Sequence, residues 1–460
     1  MYNLYITMFI RKIKKKSGTY LAKVESYRDG QGKIKQRVIQ YLGKEIGGKA
    51  EKRVLTKDIQ ATNVKQSLDV LAIDKIAEEL KLKEIQYKPA LSLVYSQLLE
   101  KRSINKLENW MRYTEIPEVL GMESPSMKDL YESLADINDE DFEKINSKMF
   151  SVFERYENIK ESAIVDVTDT YFAGSKINIK RRKGKDGQVS KLIQIGLAVS
   201  FKSGFPILHK KYHGNLSGMD IYKDMSIELK DRGISSMIMD RGMLSKENIE
   251  IALGLKFEII AGIRKSPALV REFIEPIERD DIYSAKCRVP LRKTIVFIKE
   301  FDYMKGKIIV VYNPALEVVK KEINFQKELK NDKDIGYSLI YHNTEYSSME
   351  VVRNYYEKDM VERAFKHIKG ILNLNPIRLW LENHVEGHIK ICYLAYAILS
   401  LLNYKLKKIK ISAIDALDSL RFGYKVNLKD LSSGFEWSVH VPLEPKQKKI
   451  LKELNVMYKK

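Results

Sequence analysis

Tyr355, Lys358, Glu362 and Lys369 lie in the run YYEKDMVERAFKHIKGIL, at steps of three, seven and fourteen residues from the first. At about 100° of rotation per residue, one helix gathers all four within an arc of roughly 60°. Val361, Ala364, Phe365, Ile368 and Leu372 form a separate apolar stripe beside them. A single amphipathic helix over 355–372 is therefore expected to bury one face and to aim a carboxylate, two amines and a phenol along another. A solvated face with ordinary ion pairs uses the same residue types, so the rest of the chain must decide.

Two further acids stand in apolar surroundings. Asp166 lies between Val165 and Val167 in AIVDVTDTYF, and Asp240 ends the run Met237-Ile238-Met239. A carboxylate at a buried strand end is costly unless something pairs with it. Such strand ends are also where open α/β sheets build their sites. Asp166 and Asp240 on strands with Glu362 on a helix can hold one or two Mg²⁺ ions, which favour a few carboxylates plus water and phosphate oxygens. Two ions about 4 Å apart would activate the attacking oxygen and stabilise the leaving one in phosphodiester displacement. Asp169 is a rival for the first position. A three-residue offset on a strand points to the opposite face, and the buried flanks favour Asp166. Arg241, beside Asp240, can pair with a carboxylate or a phosphate.

The elements needed to position these groups are legible. GTYLAKVESYRDGQGKIKQRVIQYLG reads as two strands around the turn Asp29-Gly30-Gln31-Gly32, with outward Lys and Arg. After Glu51 the spacing turns helical, with helices over Ile73–Leu82, Ala90–Lys101 and Met127–Leu134 and starts at Ser124-Pro125-Ser126 and Asp139-Glu140-Asp141. From Ser162 strands and helices alternate. LIQIGLAVSF and FPILHKKY flank Lys202-Ser203-Gly204, Ser245 caps a helix, and Phe257–Arg264 and Ile335–Asn343 read as strands. Between them, about 266–333, lie KTIVFIKEF and KIIVVY, a second hairpin.

The chain has 460 residues, 81 Lys+Arg against 61 Asp+Glu and a formal net charge of +20. That excess points to a polyanion, because neutralising phosphates releases counterions. KINIKRRKGKDGQVSK, Lys176 to Lys191, carries seven Lys or Arg and one Asp, so Lys180, Arg181, Arg182 and Lys183 are DNA-clamp candidates. Cys287 and Cys392 form no metal or disulfide spacing. The longest apolar run, Ile391 to Leu402, is short for a bilayer and reads as a core helix. The first residues lack the order of a signal peptide. His384 and His388 stand four apart without an HExxH context, and Trp110 and Tyr113 read as helix packing before base stacking.

DVTDTYF, MDRGMLSKENI and YYEKDMVERAFKHIKGIL resemble, in order, the three catalytic blocks of DDE insertion-sequence transposases, in the branch with a Tyr-Arg-Glu-Lys signature. GLAVSFKSGFPILHKKYHGN, NPIRLWLENHVEGHIKICYLAYAIL and the N-terminal hairpin are similar to the family's neighbouring blocks. The resemblance implies an α/β fold: an RNase H-like catalytic core interrupted by a β-rich insertion, with an N-terminal β-hairpin and a helical DNA-binding region. It implies that Asp166, Asp240 and Glu362 are catalytic and metal-binding. Mg²⁺, replaceable by Mn²⁺, is expected as two ions. Tyr355, Lys358 and Lys369 are expected to contact DNA phosphates. Lys358 stands where the signature has Arg, which keeps the charge and loses the bidentate fork.

The expected division is a basic β-hairpin region 1–48, a helical DNA-end-binding region 49–158, core parts 159–265 and 334–403 around an insertion 266–333, and a basic helical region 404–460. The expected activity is cutting at terminal inverted repeats and joining of 3′ ends to target DNA, as an endonuclease and strand-transfer enzyme. Double-stranded DNA is the expected partner and no membrane is. A homodimer on paired ends and a cytoplasmic, nucleoid-associated location in a bacterium or archaeon complete the expectation. The rivals are an inactive transposase-derived DNA-binding protein, against which the three acids speak, and an RNase H-like nuclease without strand transfer.

Overall fold

The computed structural model describes residues 8–16, 18–47, 49–51, 58–100, 102–171, 181–183, 189–213, 216–241, 243–292, 294–327, 333–371, 374 and 377–458. The chain divides into two compact units. One comprises Met1–Val64, Lys425–Val441 and Lys459–Lys460, the other Lys65–Tyr424 and Pro442–Tyr458.

In the first unit β1 (Met8–Lys15), β2 (Gly18–Arg28), β3 (Ile34–Ile46) and β4 (Lys49–Glu51) pair antiparallel in that order. The β2–β3 turn follows from its residues. The Asp29 carboxylate accepts from the amides of Gln31 and Lys33, each at 3.0 Å, and Gly32 takes φ +80°, a conformation glycine adopts without steric cost. A second sheet joins β5 (Ile59–Gln66) to a hairpin of Tyr424–Asp430 and Glu436–His440. The region 404–460, expected to be helical, holds helices at Ala413–Leu420 and Pro445–Glu453 with this hairpin between them. Val426 pairs with Val439 and Leu428 with Trp437 across the hairpin, and such apolar cross-strand pairs stabilise strands.

The second unit opens with helices α1 (Leu68–Glu79), α2 (Lys88–Leu99), α3 (Ile104–Met111), α4 (Ile116–Leu120), α5 (Met127–Asp136) and α6 (Asp139–Phe153). Ser126 caps α5 in a reciprocal capping box with Asp129, and Asn138 caps α6. A ten-stranded sheet follows. Its centre is built from β6 (Ala163–Tyr171), β7 (Arg181–Lys183), β8 (Val189–Ser200), β9 (Pro206–His213), β10 (Ser236–Met239) and β11 (Glu258–Ile263). Helix α7 (Gly218–Asp231) precedes β10, and α8 (Lys246–Gly254), capped by Ser245, links β10 to β11. The central order is β9-β8-β6-β10-β11. β6, β10 and β11 run parallel, and β8 is antiparallel to both β6 and β9. β6 and β10 are almost wholly buried, as strands covered on both faces must be.

The described strands of 266–333 belong to the central sheet and not to a separate one. After α9 (Pro267–Leu269) and α10 (Arg279–Ile282), strands β12 (Arg288–Pro290), β13 (Ile295–Tyr303) and β14 (Gly306–Tyr312) extend the central sheet. β15 (Tyr337–His342) joins them to β11. Helix α11 (Pro314–Gln326) also lies in this stretch.

Three helices complete the site side: α12 (Ser348–Tyr356), α13 (Asp359–Lys366) and α14 (Glu382–Leu406), with α13 followed by a π-helical turn, His367–Ile371. α14 packs against α2, α5 and β9. Among the described residues one helix, Glu382–Ile409, is long and apolar enough to cross a membrane, and 89% of its most apolar window is buried inside the protein. It is the core helix expected from Ile391–Leu402. α15 (Ala413–Leu420) and α16 (Pro445–Glu453) pack beside it.

Candidate active site

Asp166 projects from the middle of β6, its Oδ1 accepting from the Val167 amide at 2.7 Å. Asp240 is the first residue beyond β10. β6 and β10 are parallel with Met239 opposite Val165, so one further step sets Asp240 beside Asp166 on strands about 4.8 Å apart. Asp169 lies across from Gln194, and strand alternation turns it to the face opposite Asp166.

Tyr355 ends up buried, at 5% exposure. Its ring seats on β11 at Gly262. A Cβ at that position would stand 2.3 Å from the Tyr355 hydroxyl and 3.0 Å from Arg241 Cγ. Gly262 carries no chemical group, so residue type alone does not mark it as part of the site. Its signal was available, because an isolated glycine inside the apolar run FEIIAGIR marks a close approach.

The expected single helix over 355–372 is corrected. Beyond Tyr356 the backbone tightens: the Lys358 amide donates to the Tyr355 carbonyl at 3.4 Å and the Val361 amide to the Lys358 carbonyl at 3.1 Å. Side chains three apart eclipse in such a turn. Lys358 Nζ accordingly lies 4.6 Å from the centre of the Tyr355 ring and 3.3 Å from its hydroxyl. It also donates to Asp240 Oδ1 in an ion pair. The run is thus α12, a tight turn, α13 and a π-helical turn, and the one shared arc does not survive. Val361, Ala364 and Phe365 are buried as the apolar stripe requires, while Glu362 is exposed on α13, which packs on β6 and β8.

Charge and burial oppose each other at Asp240. Partial burial pushes its carboxyl up, and the hydrogen bond and charge of Lys358, with Arg241 adding to them, outweigh that and hold it below the usual carboxylate range. Partial burial likewise presses the Lys358 ammonium down, and Tyr355 and Asp240 together raise it above the ordinary lysine value. The carboxylate and ammonium forms support each other.

Of the other expected DNA contacts, Arg181 is exposed on β7 opposite Lys191, and Arg241 is exposed beside Asp240. Lys180 lies outside the described residues, as do the side chains of Arg182, Lys183 and Lys369. The His384 ring stacks on Tyr131 at 6.0 Å, and His388 Nε2 lies 3.7 Å from Cys392 Sγ. Among the described residues, no group of three or more His, Cys, Asp or Glu lies close enough together to hold a metal ion.

Two family profiles match the chain. The IS1634 family transposase N-terminal domain matches residues 10–56, and the transposase DDE domain matches residues 158–398, more than half of the chain. No curated protein matches it. A cryo-EM structure of a piggyBac transposase synaptic complex with hairpin DNA is similar at 12% identity, over 77% of each chain, with a TM-score of 0.39, too loose a likeness to carry an argument. With the DDE profile spanning the strands and helices that hold Asp166, Asp240 and Glu362, the chain belongs to the DDE transposase family, as the DNA-cleaving and DNA-transferring enzyme of an insertion sequence.

Proposed function

We propose that the enzyme cuts DNA at the terminal inverted repeats of its own element and joins the freed 3′ ends to target DNA. The observation that carries this reading is the register of β6 and β10, which sets Asp166 and Asp240 side by side. The strand order β9-β8-β6-β10-β11 supports an RNase H-like core.

A DDE transposase domain is in general divalent-metal dependent. The donor set here fits a hard cation, since it consists of carboxylates without thiolate or imidazole. Asp166 and Asp240 would hold the ions, two Mg²⁺ or Mn²⁺ in their place. Glu362, exposed on α13, would complete the set, although among the described residues no group of three such ligands lies close together. Bound ions supply Lewis-acid stabilisation of the attacking and leaving oxygens. The chain's own residues position the DNA. Lys358 and Lys369 hold phosphates near the cut end, Tyr355 orients Lys358, and Lys180, Arg181, Arg182, Lys183 and Arg241 clamp the strand. The working form is a homodimer on paired ends, in the cytoplasm.

The test is strand cleavage and joining on labelled DNA from the two flanks of this gene, in Mg²⁺. Wild type releases and joins 3′ ends. Asp166→Asn, Asp240→Asn and Glu362→Gln each abolish cutting and leave DNA binding within about twofold. Full activity in any one removes that residue from the set. Cleavage without joining would make the protein a nuclease, and binding without cleavage an inactive derivative.

A further inference from the structure

The turn between β8 and β9 is held from several sides. The Ser200 amide donates to the Phe205 carbonyl at 2.8 Å, and the Ser200 hydroxyl accepts from the Phe205 amide at 3.0 Å. The Gly204 amide donates to the Ser200 carbonyl at 3.0 Å. Phe205 is fully buried and stacks on Phe153 of α6 at 4.4 Å. From α14, the hydroxyl of buried Tyr396 donates to the Gly204 carbonyl at 2.7 Å. Gly204 takes φ +71°, and a glycine leaves its face bare for another element to approach. Half-buried Met360, in the first turn of α13, takes that place. A Cβ at Gly204 would stand 2.9 Å from both Cγ and Sδ of Met360 and 3.3 Å from the Tyr396 hydroxyl.

Met360 stands two residues before Glu362. The helix that carries both is short, Asp359–Lys366, and Lys358 at its N-cap makes no side-chain cap. Val361, Ala364 and Phe365 hold α13 down on β6 and β8. Burial of such a stripe is non-directional, so a contact on one flank is needed to fix the roll of the helix. At about 100° per residue, Met360 lies to one side of Val361 and Glu362 to the other. A carboxylate about 5–6 Å from the helix axis moves about 2 Å when the helix rolls by about 20°. A metal bond tolerates only about 0.2 Å.

We propose that Met360 is a positioning residue for Glu362. Seated on Gly204 beside Tyr396, it fixes the roll of α13 and with it the carboxylate that Glu362 offers to the metal site. The proposal rests on the reading of Glu362 as a metal-binding acid and deepens it. It gives the β8–β9 turn a part in the site beyond closing a hairpin.

The experiment uses the full chain. Mn²⁺ affinity is measured by calorimetry and flank-DNA binding by titration, with thermal unfolding as the check on folding. Met360→Ala is expected to bind Mn²⁺ about tenfold more weakly, as loss of a group that orients a metal ligand does, with flank-DNA binding unchanged. Met360→Leu conserves volume and is expected to stay within about twofold of wild type. Leu107→Ala, in the core of the helical region, is expected to lower the unfolding temperature and leave Mn²⁺ affinity unchanged. The route is read from Met360→Ala combined with Glu362→Gln. If Met360 acts through Glu362, that double variant binds Mn²⁺ no more weakly than Glu362→Gln alone. Additive losses overturn the proposal, and so does an equal loss in Leu107→Ala. Tighter Mn²⁺ binding by Met360→Ala would mean that the contact holds Glu362 away from the metal, which also overturns it. A loss in Glu362→Gln with none in Met360→Ala sinks the proposal and leaves the reading of Glu362 standing. No loss in Glu362→Gln removes that reading and the proposal with it.

Discussion

Lys358 sits between two neighbours with different demands. It donates to Asp240, and it lies over the Tyr355 ring. An arginine keeps the charge and can serve both contacts, so Lys358→Arg is expected to bind and cut DNA ends within about threefold of wild type. Lys358→Ala loses the charge, and end binding and cutting should fall about tenfold, near 1.4 kcal/mol. Unchanged end binding and cutting in the alanine variant would remove Lys358 from the site. Gly262 tests the seat of Tyr355. Gly262→Ala forces the phenol away and is expected to cost about 1–3 kcal/mol of stability, the usual range for overpacking. Because the hydroxyl at 2.3 Å is the nearest atom and the ring carbon Cζ lies at 3.1 Å, adding Tyr355→Phe should restore part of that loss. Two independent, additive losses in denaturant unfolding would show that the two residues do not meet.

The elements meet the site's needs by close packing. Gly387 lies in the first turns of α14, where glycine costs about 1 kcal/mol in propensity relative to alanine. The reason is α5: a Cβ at Gly387 would stand 1.9 Å from the Leu134 carbonyl oxygen and 2.7 Å from its carbonyl carbon. Backbone cannot swing aside as a side-chain end can. Gly387→Ala is therefore expected to lower stability by about 1–3 kcal/mol despite the better helix former. A rise in melting temperature would show that the helices part easily. The break between α12 and α13 matters in the same way. An ordinary helix already sets residues three apart on one side, and the tight turn brings Lys358 and Tyr355 closer to eclipsed.

For the molecule as a whole, His209 links folding to pH. Its ring on β9 stacks on Tyr393 at 4.3 Å and meets Phe142 edge-on at 5.1 Å, and its buried Nδ1 has no hydrogen-bond partner among the described residues. Burial, helped by the charges of Lys390 and Arg232, pushes its pKa down to about 3. The unfolded chain, with a histidine near 6.5, then binds a proton that the folded chain refuses. Stability from this residue is complete above about pH 6.5 and drains away as pH falls toward 3. Between pH 7 and 5 the loss is on the order of 1–2 kcal/mol. In His209→Phe that part of the slope should vanish from unfolding free energies measured at the two pH values. An identical slope in wild type and variant would mean that the imidazole is protonated in the folded state.

How much of this was legible in the sequence depends on the range of the interactions. The turn at Asp29–Gly32, the caps at Ser126 and Ser245, the β8–β9 hairpin and the core character of α14 are set by neighbours a few residues apart, so composition and spacing announced them. The order of the acids and their spacing were equally local, and they pointed to the DDE family before any fold was in view. The exposed position of Glu362, the meeting of Lys358 with Asp240 and the need for glycine at 262 were not. Asp240 and Lys358 are separated by 118 residues, and periodicity alone reads a regular helix through residues 355–372, where packing on the sheet instead tightens a turn. The strands of 266–333 showed the same limit: the sequence marked them as strands, and only hydrogen bonding to β15 made them part of the central sheet. What the sequence determined by itself was the inventory of elements and chemical groups, because those follow from local preference and burial pattern. The tertiary structure alone decided which groups meet, because strand register and helix packing join residues that are distant along the chain.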